Sequence, residues 1–333
     1  MSRNTFCLEA VVPFRLDLTA WTLRRRPHNL VDRWDGETYR RTLALSGGGP
    51  VEVAVVQTGS AKSPRLQVTV HGNPLRPEGK QAVTVALERL LGHRIDLAAF
   101  YRLASRDADL GQLVRRFRGM KPPRFPSVFE GVVNGIACQQ LSLTLGIHLL
   151  NRLAENHGLS MVANGGACNA FPRPEDLTHA TPEKLRPLGF SRQKSRAMIE
   201  LAQIDAEGHA GLEGLRAFPD PDALARLKQL RGVGRWTAES GSGSVPADPV
   251  LWIASARRDS SRRADGDMPS ASIKRVICPS VISFSDASDF RASNSSMGRR
   301  IDVSTTSTSF RRNQLPPSES REIRVDGVRR LNA

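Results

Sequence analysis

A pair of helices joined at two glycines is the part of the sequence whose residue types and spacing most clearly suggest chemistry. In the stretch LRGVGRWTAE, Gly232 and Gly234 flank Val233. Glycine allows the chain to turn sharply and lets another backbone approach closely. The bend would expose amide groups at the start of the next helix, where an anion is favoured. The stretch therefore predicts a phosphate-binding hairpin, and an ordinary helical hairpin with a glycine turn is the alternative.

The charge of the chain favours the same kind of partner. Its 333 residues include 48 Lys and Arg against 33 Asp and Glu, a formal net charge of +15. A protein of this balance attracts polyanions, and nucleic acid is the obvious one. A basic protein without such a partner remains the alternative. The length is sufficient for two domains with real cores.

Cysteine usage and hydropathy exclude several classes of protein. The four cysteines are scattered, with no pair at metal-ligand spacing. This argues against zinc sites, iron–sulfur clusters and disulfide frameworks, and it fits a reducing compartment. No apolar run reaches the ~18 residues that a membrane span needs, and the first residues lack the apolar core of a signal peptide. We expect a cytoplasmic monomer with no membrane contact and no organic cofactor.

The elements that must position the hairpin fall into two regions. Residues 1–75 are predicted to form a small α+β domain, because PVEVAVVQTG and RLQVTVHG alternate with a period of two around the turn-forming SAKSP. LTAWTLRRR before them is predicted to be a helix. Residues 80–239 show a helical period throughout.

Two helices in the second region flank a pair of glutamines. SVFEGVVNGIA begins with Ser127 three residues before Glu130, which is the spacing of a capping box. The sequence QQ interrupts the pattern. The helix that follows is predicted to have one apolar face, formed by Leu145, Leu149 and Leu153.

The composition changes abruptly after residue 239. Residues 240–333 contain 20 Ser and 3 Leu, whereas residues 1–239 contain 10 Ser and 32 Leu. A segment with so little apolar sequence does not offset the entropy of chain ordering. We expect a largely disordered, low-complexity tail. It is either the native tail of a truncated relative or the product of a shifted reading frame after codon 239.

Three stretches resemble the helix-hairpin-helix (HhH-GPD) DNA glycosylases, and within them the alkylpurine, DNA-3-methyladenine glycosylase II type. They are FPSVFEGVVNGIACQQLS, FPRPEDLTHATPEKLRPLGFSRQKSRAMIELA and LRGVGRWTAE. The region around LTAWTLRRRPHNLVDRWDGETYRRTL is similar to the small β-rich domain of that branch. The resemblance covers residues 5–239. It implies an α+β fold, with a small antiparallel β-rich N-terminal domain before an all-α helix-hairpin-helix domain.

The resemblance also implies how the chain would hold its partner, double-stranded DNA that contains alkylated bases. The hairpin amides at Gly232 and Gly234 would hold a backbone phosphate, with Val233 and Thr237 beside them. The carbonyl groups of Leu230 and Val233 would hold a structural Na⁺ or K⁺. No other cofactor is implied.

Gln139 and Gln140 occupy the turn that this family pushes into the duplex. The resemblance implies that Gln140 fills the space left by an extruded base. The alternative is that both glutamines only satisfy exposed main-chain groups of the turn.

The resemblance places two tryptophans at the base pocket. Trp236 would line it, and Trp21 would approach from the N-terminal domain. Aromatic faces suit a cationic methylated purine. Packing between the domains is the alternative for Trp21. Bifunctional members of the family carry a nucleophilic lysine where this chain has Trp236, so hydrolysis by water without strand cleavage is implied.

The resemblance also implies a catalytic aspartate, which stabilises an oxocarbenium-like sugar, and this sequence departs from the family's pattern there. That aspartate lies about twenty residues beyond the tryptophan, a spacing that counts only in its structural context. If several residues are deleted, Asp248 in VPADP falls beside that place, and Asp259 is the next acid. We predict a monofunctional glycosylase for alkylated purines with Asp248 as the catalytic residue. A catalytically inactive DNA-binding protein and a glycosylase for another lesion remain open.

Overall fold

The N-terminal part of the protein is built around one antiparallel sheet. The computed structural model describes residues 4–45, 49–122, 124–163, 166–208 and 211–241. The five strands lie in the order β1-β5-β4-β3-β2, and each pairs antiparallel with its neighbour. They are β1 (Thr5–Glu9), β2 (Asp32–Trp34), β3 (Thr38–Ala44), β4 (Pro50–Thr58) and β5 (Arg65–His71). The α+β class and the predicted strand pair β4–β5 are confirmed.

Two helices cover the inner face of this sheet. Val53 lies opposite Val70, and these side chains are buried with those of α1 (Leu16–Arg24) and α2 (Pro77–Leu91) in one apolar cluster. The predicted helix at LTAWTLRRR is therefore confirmed. Helix α2 follows residue 75 in the sequence, but its buried side chains belong to the core of the sheet. The sheet has an apolar face that must be covered by another element, and α2 covers part of it.

Helices α3 to α11 provide most of the ordered elements in the rest of the described chain. They are α3 (Ala98–Ala104), α4 (Ala108–Arg116), α5 (Val128–Cys138), α6 (Leu143–His157), α7 (Pro174–Leu177), α8 (Pro182–Leu185), α9 (Arg192–Ala206), α10 (Asp220–Leu227) and α11 (Arg235–Gly241). Single 3₁₀ segments lie at Arg186–Leu188 and Leu212–Ala217. None of the helices in these ranges is long and apolar enough to cross a membrane. The tail predicted from residue 240 lies, from residue 242 onward, outside the described residues.

The prediction of helix throughout residues 80–239 was wrong at one place. A two-stranded hairpin, β6 (Ser160–Ala163) paired with β7 (Gly166–Asn169), follows α6. Gly158 ends that helix so close to the carbonyl of Ala170 that a Cβ would lie 1.9 Å from its oxygen. The chain must therefore leave the helix at this glycine and return alongside itself, and two strands satisfy their main-chain groups in that geometry.

Helix α5 is buried on nearly every side. At its N-terminus, only one of the two hydrogen bonds of a capping box is formed. The Ser127 Oγ accepts a hydrogen bond from the Glu130 amide at 3.0 Å. The Glu130 carboxylate does not return to residue 127, because it pairs with Arg41 on β3 at 2.5 and 2.6 Å. On α6, Leu149 and Leu153 are buried as predicted, but Leu145 is 44% exposed. The first turn of α6 extends beyond the core, so the core covers only part of the predicted apolar face.

A buried ion network joins the sheet to α5. The Arg41 guanidinium donates to the Asp32 carboxylate at 2.7 Å and to that of Glu130, and it is 1% exposed. The Tyr39 hydroxyl also donates to Asp32, at 2.7 Å. Burial raises the pKa of Glu130, and the nearby Arg41 charge acts in the opposite direction. The network fixes α5 against β3, and so fixes everything that α5 carries at its far end.

Lys121 gives stability a predictable dependence on pH. Its side chain is buried, its ammonium donates to the Ile95 carbonyl at 2.6 Å, and burial lowers its pKa to about 8. In the unfolded chain a lysine keeps its proton to about pH 10.4. Between these values the unfolded state binds more protons, so the free energy of unfolding rises with pH.

We expect the Lys121→Met variant to lack this rise. The difference in slope between wild type and variant is at most about 1.4 kcal/mol per pH unit. Urea unfolding at several pH values from about 8 to 9.5 measures these slopes, because this range lies between the folded and unfolded pKa values of Lys121. Equal slopes for the two proteins would contradict the assignment.

Candidate nucleic-acid interface

The predicted hairpin is formed by α10, a short turn and α11. Gly232 in the turn has a φ of +75°, and a Cβ added there would lie 2.9 Å from the Cβ of Ala197 on α9. Both the left-handed backbone and the close approach require glycine. The Val233 side chain is buried in the helical core and anchors the turn. Gly234 has no atom within 4 Å of the place where a Cβ would stand, among the residues described.

Helix α11 packs directly against the C-terminal half of α5. A Cβ on Gly135 would lie 2.7 Å from the Cγ2 of Thr237, so the two helices meet at a position that only glycine permits. Thr237 is 1% exposed. Because its side chain is buried, any contact between Thr237 and DNA must use the main chain. The side chain locks the hairpin to α5.

The two glutamines of the turn between α5 and α6 have different environments in the structure. The Gln139 side-chain amide donates to the Gly232 carbonyl and to the Thr237 hydroxyl, both at 2.7 Å. Gln139 is therefore engaged inside the protein, where it ties this turn to the hairpin. It is not free to enter a duplex.

Gln140 has the opposite character. It is exposed, and its φ of +55° lies in the left-handed region. A non-glycine residue pays about 1–3 kcal/mol for such a conformation, and residues of this kind concentrate at functional sites. The turn thus directs one polar side chain outward from a strained backbone.

An open cleft of about 400 Å³ lies beside these residues. Its lining consists of Cys138, Gln139, Gln140, Gly234, Arg235, Trp236 and Thr237. Trp236 is 42% exposed, which is unusual for so large an aromatic side chain. The geometry therefore brings the predicted hairpin, the predicted turn and Trp236 together. Trp21 is half-buried on α1 and is not part of this lining within the described chain.

The same lining contains no carboxylate among the described residues. Glu239, one turn further along α11, pairs with Arg235 at 2.8 Å. The predicted catalytic residue, Asp248, and the next acid, Asp259, lie outside the described residues. Their placement stays a prediction.

The main-chain groups expected to hold a monovalent cation are on the hairpin turn. The Leu230 carbonyl accepts a hydrogen bond from the Val233 amide at 3.2 Å. A carbonyl oxygen has two lone pairs, so one remains available to a cation. This acceptor capacity is compatible with Na⁺ or K⁺, and the cation itself stays a prediction. In the described parts of the chain, no group of three or more His, Cys, Asp or Glu side chains is arranged to hold a metal.

Two cationic residues near the cleft were missed by sequence reasoning. The Lys194 ammonium on α9 donates to the carbonyls of Ala137 and Gln139, and burial lowers its pKa. Arg25, at the end of α1, donates to the Asn134 side chain at 2.9 Å. Both contacts join residues that are far apart in sequence, so no periodic pattern in the sequence predicts them.

The strain at Gln140 leads to a stability prediction. We expect Gln140→Gly to be more stable than Gln140→Ala by about 1 kcal/mol, because glycine adopts positive φ without a Cβ penalty. Both substitutions remove the same side-chain functional group. Thermal unfolding of the two variants measures the difference. An alanine variant as stable as the glycine variant would show that the left-handed conformation carries no strain.

Comparison with known proteins places the site in a recognised context. The model of a family described as "HhH-GPD superfamily base excision DNA repair protein" matches residues 133–294, which include the hairpin and extend past residue 239. The DNA-3-methyladenine glycosylase of Bacillus subtilis (strain 168) is 32% identical over 143 residues, which cover 43% of this chain and 47% of that protein. DNA-3-methyladenine glycosylase 2 of Escherichia coli (strain K12) is 31% identical over 133 residues, 39% of this chain and 45% of the other.

A solved structure supports the same relationship over more of the chain. The 3-methyladenine DNA-glycosylase from Archaeoglobus fulgidus matches with a TM-score of 0.62 and 25% sequence identity, over 81% of this chain and 90% of that one. By contrast, the chain spans about half the length of the curated relatives it matches.

Proposed function

We propose that this chain is a member of the HhH-GPD superfamily of base excision DNA repair proteins, which it resembles, and that it removes alkylated purines of the 3-methyladenine type from duplex DNA. The observation that carries the proposal is Gln140, exposed in a left-handed conformation at the rim of the cleft that contains Trp236. An enzyme that acts on a base must first take it out of the stack, and a side chain held outward can fill the space. The adjacent aromatic face can stack on the extruded base and attract its positive charge.

The hairpin and the net charge supply affinity for the duplex. In this proposal the main chain at Gly232, Val233 and Gly234 faces a phosphate, and the carbonyls of Leu230 and Val233 hold Na⁺ or K⁺ behind it. The net charge of +15 strengthens attraction to any duplex. We place the protein in the cytoplasm, because its scattered cysteines fit a reducing compartment, and we propose that it acts as a monomer.

The proposed reaction is hydrolysis by water. Alkylation at N3 or N7 makes the purine a good leaving group, so the main requirement is an anion near the oxocarbenium-like sugar. We assign that role to Asp248. Trp236 occupies the position at which bifunctional relatives carry a lysine nucleophile, so we expect base loss without strand cleavage.

The second candidate is a DNA-binding protein that does no chemistry. It is favoured by the absence of a carboxylate among the described residues that line the cleft. Such a protein would keep the hairpin and the basic charge and would release no base.

Release of free 3-methyladenine from alkylated duplex DNA, followed by mass spectrometry with the full-length chain, tests the two candidates. We expect release above the spontaneous background, with the phosphodiester strands intact. Asp248→Asn should lower the rate by about 100-fold or more, since an electrostatic group at the reacting sugar is worth at least that factor. Asp259→Asn is the matched control and should retain the parent rate.

Each other result has a defined meaning. Undiminished release by Asp248→Asn would remove Asp248 from the reaction. No release, together with duplex binding that weakens steeply with salt, would establish the DNA-binding protein instead.

A further inference from the structure

The C-terminal end of α5 is capped by a side chain from another helix. The Lys194 ammonium on α9 donates to the Ala137 carbonyl at 2.9 Å and to the Gln139 carbonyl at 2.7 Å. The last carbonyls of a helix have no partner within it, and a cation is favourable at that end. Lys194 therefore binds the main chain immediately before Gln140.

The other side of the same turn is bound by the hairpin. The Gln139 side chain donates to the Gly232 carbonyl and the Thr237 hydroxyl, both at 2.7 Å. Gln139 is thus held through its main chain by α9 and through its side chain by the hairpin. The next residue, Gln140, takes the left-handed conformation and is exposed. Two independent sets of hydrogen bonds therefore hold Gln139, the residue immediately before the strained Gln140.

We propose that Lys194 is a positioning residue, which holds the turn so that Gln140 is presented to the duplex before DNA binds. This inference rests on the proposed function, because it gives Gln140 the role of filling the place of an extruded base. A turn that is already ordered loses less conformational freedom on binding. Two of the three N–H groups of the half-buried ammonium donate to main-chain carbonyls inside the protein, and in this inference Lys194 acts through Gln140 and not through a phosphate.

The test compares two duplexes that differ only in one base. One is intact, and the other carries a tetrahydrofuran abasic analogue, which offers a ready space for Gln140. The measured quantity is the ratio of the two dissociation constants, with the full-length protein, at several salt concentrations. We expect Lys194→Met to reduce the preference for the abasic duplex about tenfold, the factor that a charge-assisted hydrogen bond is worth. Affinity for the intact duplex and its dependence on salt should not change.

Lys184→Met is the matched control, because it removes the same charge from an exposed position on α8. It should keep the full preference for the abasic duplex. A second comparison places Lys194→Met in a Gln140→Ala background. If Lys194 acts through Gln140, the additional substitution has no further effect on the ratio. Thermal unfolding confirms that each variant is folded at the assay temperature.

Three results with the variants would overturn the inference on its own, and a fourth, with the wild-type protein, would overturn the proposed function as well. A preference retained by Lys194→Met shows that the ammonium does not position the turn. Equal weakening on both duplexes, with a salt slope reduced by about 0.9, shows a direct phosphate contact. A further loss in the Gln140→Ala background shows action by another route. If the wild-type protein itself has no preference for the abasic duplex, base extrusion fails as the proposed function and this inference fails with it.

Discussion

Replacing Arg41 with alanine is expected to lower the free energy of unfolding by about 3–5 kcal/mol, the cost of removing one partner from a buried ion pair. Arg41 is 1% exposed and lies between the carboxylates of Asp32 and Glu130. Without the guanidinium, two buried carboxylates face each other with no cation between them. Folded domains are stable by about 5–15 kcal/mol in total, so this loss is a large part of the whole.

The effect of this substitution should depend on pH in a defined direction. Burial already raises the pKa of Glu130, and the Arg41 charge is what lowers it in compensation. In Arg41→Ala the folded state therefore holds a proton that the unfolded carboxylate releases. Stability gained from that proton is present at low pH and is lost as the pH rises. The difference between wild type and variant should shrink as the pH is lowered from about 7 towards 5.

Arg40→Ala is the matched control on the same strand. Arg40 pairs with Asp35 at the surface, where both side chains are substantially exposed. A surface pair of this kind contributes about 0–1 kcal/mol, so the control should remain close to wild type. Urea unfolding at two pH values measures both variants. An Arg41→Ala variant as stable as the Arg40→Ala control would mean that the network adds nothing to stability.

The arrangement of elements was largely predictable, because it follows from local periodicity. The alternation in PVEVAVVQTG and RLQVTVHG specified β4 and β5, and the resemblance to the HhH-GPD family is confirmed. The short β6–β7 hairpin was missed, because four-residue strands give too few alternations to stand out from a helical background. The spacing of Leu145, Leu149 and Leu153 predicted a shared apolar face, but spacing does not show that the first turn of the helix extends past its neighbours and leaves Leu145 exposed.

The candidate site divides in the same way. The glycine turn at Gly232 was predictable, since its conformation depends on adjacent residues. The capping-box spacing at Ser127 predicted one hydrogen bond correctly and assigned Glu130 the wrong partner. Arg41 and Lys194 carry no local signature, because their partners lie on other elements. A single sequence identifies what could bind DNA, whereas the contacts that hold those residues in place depend on the folded chain.

Those contacts form a continuous connection from the sheet to the hairpin. Glu130 near the start of α5 is held by the sheet, and Gln139 at its end is held by α9 and the hairpin. Helix α5 thereby transmits the position of the N-terminal domain to the turn that carries Gln140. Damage to either end should disturb DNA binding, but damage to the hairpin end should do so with less loss of the remaining fold.

Gly135→Val is expected to produce that damage at the hairpin end. A Cβ added at this position would lie 2.7 Å from the Thr237 Cγ2 and 3.4 Å from the Thr237 Cα, and valine adds two further methyl groups. Because Thr237 is buried, α11 must move away from α5. Overpacking of this kind costs about 1–3 kcal/mol. The displacement also breaks the hydrogen bond from Gln139 to Thr237, so the hairpin and the glutamine turn no longer share one geometry.

We expect affinity for the duplex that carries the abasic analogue to fall by about tenfold or more in Gly135→Val, which corresponds to 1.4 kcal/mol of lost interaction. Gly214→Val is the matched control, since Gly214 is exposed and has no described atom within 4 Å of its Cβ position. Fluorescence anisotropy with a labelled duplex, at a temperature where both variants are folded, measures the difference. If Gly135→Val binds the duplex as tightly as the control, the contact between α5 and α11 does not set the DNA-binding geometry, and the hairpin must act alone. A selective loss in Gly135→Val instead means that affinity requires the hairpin and the Gln139–Gln140 turn in one fixed arrangement.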